Sequence, residues 1–142
     1  MEKKELRLSL KTKWFEMTKS GIKTEDYREI NEYWIKRLTH NEIGLSIGQI
    51  NEAICALRDG YPEESIANIY GVYVNQFAVN VMTLGYPKST DTERILKLEH
   101  KGIEVRMGNP EWGAEPGKFY FVIKHGAIVE TGNITANSGN KL

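Results

Sequence analysis

Sulfur chemistry is nearly missing: one cysteine, Cys55, excludes an internal disulfide and any zinc site built on cysteine pairs. The three histidines, His40, His100 and His125, fall in separate turn-like stretches with no cysteine or carboxylate at ligand spacing. Neither a metal site nor a cofactor is therefore expected. There is no G-x-x-x-x-G-K-[ST] phosphate loop, no G-x-S-x-G elbow and no H-E-x-x-H pair, which removes dedicated NTPases, serine hydrolases and zinc proteases. No apolar run approaches the roughly 20 residues of a membrane span. Met1-Glu2-Lys3-Lys4-Glu5 is not followed by the apolar core of a signal peptide, so a cytoplasmic protein with no membrane partner is expected. Internal repeats are absent.

An excess of one charge is lacking too. Nineteen Lys and Arg face nineteen Asp and Glu, a formal net charge of +0. Binding to long duplexes scales with the cations that neutralise phosphates, so a large, sequence-independent grip on them is excluded. The balance is uneven along the chain: residues 1–40 hold 10 Lys and Arg against 7 acids, leaving 9 against 12 for the rest. A mildly basic N-terminal part suits a single-stranded or nucleotide-sized anion better than a duplex.

What is present reads as one α+β domain over residues 1–131, followed by a flexible tail, 132–142, rich in Gly, Asn, Ser and Thr. Leu6, Leu8 and Leu10 alternate with polar residues as in a half-buried strand. Trp14, Phe15 and Met17 fall in a short helix closed by Gly21, with the aromatic pair either in the core or stacked on a ligand. Asn31 can cap a helix carrying Trp34, Ile35 and Leu38 as its apolar stripe. Ile43, Ile47, Ile50, Ile54 and Leu57 recur at helical spacing and predict a helix over 46–58. Pro62, Glu63 and Glu64 open a second, carrying Ile66, Ile69 and Tyr70 and stopped by Gly71.

Residues 43–70 thus predict an inserted helical hairpin, either packed on the sheet or serving as a lid, a partner-binding face or a homodimer contact. From Val72 to Val81 a change of parity predicts one long strand bulged near Asn75-Gln76. Ile95–Met107 predicts further strand broken at Lys101-Gly102. Phe119–Ile123 predicts a central strand that turns back through His125-Gly126 into Ala127-Ile128-Val129.

The chain is organised around Ser20-Gly21-Ile22-Lys23-Thr24-Glu25-Asp26-Tyr27-Arg28, where a glycine turn delivers a lysine, two acids and an arginine onto one short extended segment. Strand alternation places Thr24, Asp26 and Arg28 on one face and Glu25 and Tyr27 on the other, with Lys23 at the turn. An acid and a guanidinium two apart can pair and, with Lys23, offer directional donors to a phosphate or a nucleobase edge. The alternative is a solvated edge strand whose charges discourage aggregation. A second stretch, Gly108-Asn109-Pro110 through Glu115-Pro116-Gly117, holds most of the turn formers around Trp112, which offers either a stacking face or a buried anchor.

Gly21-Ile22-Lys23-Thr24-Glu25-Asp26-Tyr27-Arg28 resembles the G-x-K-x-x-E-x-R signature of the ASCH domain, with Asp26 in place of the glutamate. Trp14-Phe15, Tyr33-Trp34, Arg37-Leu38, and Pro110-Glu111-Trp112-Gly113-Ala114-Glu115 leading into Phe119–Ile123 resemble the stand-alone members found in bacteria and their phages. The resemblance covers about two-thirds of the chain, and it implies a PUA-like, partly open β-barrel of five to seven strands with flanking helices. It also implies a role in handling RNA or a modified nucleotide or nucleoside. On that expectation Lys23 and Arg28 contact phosphate or a base edge, Asp26 orients Arg28 or accepts from an amine, Tyr27 or Trp112 stacks, and Glu115 joins the binding set.

Similar small proteins are amidohydrolases that deacetylate N4-acetylcytidine through a G-x-K-T-x-T-x-R stretch, which implies an alternative catalytic set of Lys23, Thr24 and Asp26. Asp26 replaces the nucleophilic threonine of those relatives, and a carboxylate is a poor nucleophile toward an amide, so Thr24 would have to take over. Ribonuclease chemistry with Lys23 and Asp26 as acid and base is a further alternative. A protein-interaction module working through residues 43–70 is the last.

Overall fold

The computed structural model describes residues 4–130; the tail expected at 132–142 lies outside the described residues. The class is mixed α and β. In chain order the elements are β1 (Lys4–Leu10), α1 (Thr12–Lys19), β2 (Glu25–Glu29), α2 (Glu32–Leu38), β3 (Thr39–His40), α3 (Ile47–Arg58), α4 (Glu63–Tyr70), β4 (Tyr73–Val74), β5 (Phe77–Leu84), β6 (Ile95–Met107) and β7 (Phe119–Glu130). Single 3-10 turns at Thr92–Arg94 and Pro110–Trp112 precede and follow β6. Five strands are hydrogen-bonded in the order β1-β5-β6-β7-β2, and β3 and β4 form a separate two-stranded ladder. The described residues divide into two compact units, 4–25 with Phe77–Gly102 and 124–130, and Asp26–Gln76 with Ile103–Ile123.

In the first unit the alternation of β1 is realised: Leu6, Leu8 and Leu10 are buried and their neighbours are not. β1 runs parallel to β5, placing Leu6 opposite Asn80 and Leu8 opposite Met82. Helix α1 packs on β5. It buries Phe15 and Thr18 and ends at Ser20, after which Gly21 adopts φ +86°. That left-handed residue lets the N–H groups of Ile22 and Lys23 both return to the Met17 carbonyl, satisfying the open helix end.

Two sequence expectations fail in the strands. β6 continues through Lys101-Gly102, the glycine's φ of +111° being absorbed within the strand. β7 runs unbroken through His125-Gly126 rather than turning back. A Cβ at Gly126 would meet the movable ends of the Glu99 and Lys101 side chains and stand 3.1 Å from Glu99 Cβ.

In the second unit α2 starts where Asn31 accepts the Trp34 N–H at 3.0 Å, and it buries Ile35 and Leu38. On its outer face Lys36 bonds Glu32 at 2.8 Å. That hydrogen bond, aided by the lysine's charge, holds the Glu32 carboxyl below its ordinary value. Helix α3 opens with a reciprocal cap between Ser46 and Gln49 and buries Ile50, Ala53, Ile54 and Ala56. α3 and α4 pack on one another as the expected hairpin. The isoleucine stripe is narrower than its period suggests, because Ile43 precedes the helix at 69% exposure and Ile69 is 67% exposed.

The long bulged strand expected over 72–81 is two strands in different ladders. Asn75 breaks it: its N–H bonds the Leu38 carbonyl at 2.8 Å, its amide donates to the Arg37 carbonyl at 2.9 Å, and its oxygen meets His40 Nδ1. With its backbone and side chain turned to that segment, β4 pairs β3.

Candidate functional site

Strand β2 begins at Glu25, so Thr24 stands just before it. Within the first unit, Thr24 is exposed and its carbonyl accepts the His125 N–H at 3.0 Å. Lys23 is 3% exposed. Its ammonium donates to the Glu25 carbonyl at 2.5 Å and lies 6.0 Å from the centre of the Trp14 ring. A lysine this covered needs such acceptors and ring faces, since an ammonium loses its hydration on burial.

Within the second unit, Asp26 is also 3% exposed and accepts a charge-assisted bond from Arg28 Nε at 2.6 Å. The two side chains lie on one face, as alternation predicts. The Arg28 side chain keeps 18% of its surface in solvent, against 5% for Asp26. Its guanidinium carbon sits 5.0 Å from the Trp34 ring centre, and that of Arg37 lies 5.6 Å from the same ring. Fixed on one side by a carboxylate and on another by an indole, Arg28 is held in one orientation rather than sweeping its rotamers.

Tyr27 points to the other face and is taken up by packing. Its ring meets Tyr120 at 5.8 Å and packs with Ala114 and Val122. Its hydroxyl accepts the Asn109 N–H at 2.9 Å. Tyr27 thereby pins the Gly108–Gly117 loop to β2. Trp112, in the 3-10 turn, is half-buried; Asn109 caps that turn by accepting the Glu111 N–H at 2.9 Å. Glu115 is exposed at its side chain while its N–H donates to the Tyr120 hydroxyl at 3.0 Å.

The groups that meet the motif arginine, Trp34 and through it Tyr33 and Arg37, were absent from the sequence-based site. Spacing on α2 carried part of the signal: Tyr33 and Arg37 are four apart and Trp34 and Arg37 three apart, so Arg37 neighbours both rings.

Gly108 closes the site's supporting side. A Cβ at this position would stand 2.7 Å from both Ala114 Cβ and a Tyr27 ring carbon. Gly108→Ala is expected to cost about 1–3 kcal/mol through overpacking, read as a lower urea midpoint at unchanged slope. A variant as stable as wild type would mean that the loop is not seated on Tyr27.

No group of three or more His, Cys, Asp or Glu able to hold a metal occurs among the described residues. No helix among them is long and apolar enough to cross a membrane. Along the hairpin, Gly48, Asn51, Glu52, Cys55, Asp59 and Tyr70 line a shallow groove of about 400 Å³ that shares no residue with the motif. No family model, no curated protein and no solved structure matches the chain.

Proposed function

We propose that the chain is a PUA-like protein of the ASCH type that binds RNA or a nucleotide through its G-x-K-x-x-D-x-R motif. The observation that carries this reading is the Asp26–Arg28 pair, bonded at 2.6 Å with the guanidinium seated 5.0 Å over Trp34. A guanidinium locked in plane, with part of its surface still in solvent, suits the fork geometry of a phosphate or the edge of a base. A neighbouring indole and a second guanidinium add the aromatic and cationic character that unstacked nucleotides use. The mildly basic first 40 residues favour an anion of this size, and zero net charge disfavours a duplex.

The test is fluorescence anisotropy with a labelled single-stranded RNA of about ten nucleotides at two salt concentrations. Arg28→Ala is expected to weaken binding at least about tenfold, the worth of one charge-assisted contact. Arg28→Lys should recover only part of the loss, because an ammonium keeps the charge without the fork. Circular dichroism confirms that both variants fold. Wild-type affinity in Arg28→Ala would overturn the reading.

A further inference from the structure

Resting on that reading, we infer that the outer face of α2 is a second subsite, formed by Arg37 and Tyr33. The ligand is then a single-stranded oligonucleotide of at least two adjacent nucleotides rather than a lone nucleoside or nucleotide.

Three features of α2 and its surroundings lead there. The first is charge. Each of the three acids between Asp26 and Glu32 is engaged by another cation: Asp26 by Arg28, Glu29 by Lys118 at 3.4 Å and Glu32 by Lys36. Arg37 has no carboxylate within ion-pair distance among the described residues, and it is exposed. Its positive charge is therefore available to an incoming anion.

The second feature is preorganisation. Arg37 lies 5.5 Å from the Tyr33 ring centre as well as 5.6 Å from that of Trp34, so two rings flank the guanidinium. Such support lowers the rotamer entropy lost when a phosphate binds, whereas an unsupported surface arginine pays it in full.

Ring orientation is the third. Tyr33 and Trp34 meet edge to face, their centres 5.0 Å apart and their planes at 85°. Two perpendicular rings cannot stack on one base. Trp34 backs the two guanidiniums, while Tyr33, 60% exposed, keeps ring surface for a base of its own. Trp34, Arg37 and Tyr33 neighbour one another, and Arg28 meets the same Trp34 ring. On this arrangement Arg28 takes the first nucleotide, Arg37 the phosphate that follows and Tyr33 the next base.

The test compares adenosine monophosphate with a single-stranded tetra-adenylate, titrated into wild type, Arg28→Ala, Arg37→Ala and Tyr33→Ala. Both α2 side chains are exposed, so their variants are expected to fold. Wild type should prefer the tetranucleotide. In Tyr33→Ala the ratio of tetranucleotide to mononucleotide affinity should fall between about fivefold and a hundredfold, the effect of one base stack. Arg37→Ala should lower that ratio too and make the salt slope of tetranucleotide binding shallower by about 0.7, one phosphate contact. If Arg28→Ala weakens both ligands while the other two variants keep the wild-type ratio, the second subsite is wrong and the first survives. Failure of wild type to bind either ligand, or an Arg28→Ala variant that binds both normally, sinks both readings.

Discussion

Replacing Phe15 by alanine is expected to destabilise the protein by about 3–5 kcal/mol, the range for emptying a fully buried aromatic site. That is about two to nearly four powers of ten in the folding equilibrium. Phe15 is 1% exposed on the face of α1 that packs against β5. Its neighbour Trp14 is only half-buried, with the Lys13 ammonium 4.8 Å from its ring centre. Trp14→Ala should therefore cost only about 1–2 kcal/mol, made of partial apolar burial and a cation–ring contact. Urea unfolding of the two variants separates them, provided the slope stays constant. A larger loss for Trp14→Ala than for Phe15→Ala would mean that α1 presents the opposite face to the sheet.

The pair also shows where sequence reading stops. A helix with two adjacent aromatics was legible from period and from the closing glycine, because both signals are local. Which aromatic is buried depends on the rotation of α1 against β5, and sequence carries little of that. The same division runs through the rest of the fold. The cap at Asn31 was legible, since its side chain bonds a backbone group three residues on; the one at Ser46 was not singled out. The break at Asn75 reads as a bulge in the sequence, because its cause is a set of bonds to Arg37, Leu38 and His40, more than thirty residues back.

Gly126 reads in the sequence as a turn residue, whereas β7 passes through it unbroken. In the candidate site, alternation alone placed Asp26 beside Arg28, and the structure has them bonded. It did not find Trp34, because the partner of a strand residue on a following helix is fixed by packing and not by spacing. Tyr27 illustrates the converse: its strand face was read correctly, but what covers that face, Tyr120 and the Asn109 backbone, came from residues 82 and more positions away.

The buried amide of Asn80 carries the other large effect. It is 0% exposed within β5. Its Nδ2 donates to the Lys124 carbonyl at 3.2 Å and faces His125 Nδ1 at 2.8 Å, while Oδ1 faces His100 Nδ1 at 2.7 Å. The Lys124 carbonyl can only accept, so it fixes which end of the amide is nitrogen. His125 must then present a lone pair at Nδ1 and His100 an N–H. One side chain thus selects opposite tautomers in two histidines.

Asn80→Leu fills a similar volume but removes a partner from all three groups. Each lost bond in a buried setting costs about 1–3 kcal/mol, partly offset by the added apolar burial, for an expected net loss of about 2–4 kcal/mol. Asn80→Asp makes the sign testable. It puts an acceptor where Nδ2 donated, which opposes the Lys124 carbonyl but welcomes a proton on His125 Nδ1. A carboxylate favours the imidazolium form in the folded state, so its contribution is present below the ordinary histidine range near pH 6.5 and fades as pH rises above it. Asn80→Asp should accordingly gain stability relative to Asn80→Leu as pH falls from about 8 to about 6. A constant difference between the two across that window would show that a carboxylate at position 80 does not hold a proton on either histidine.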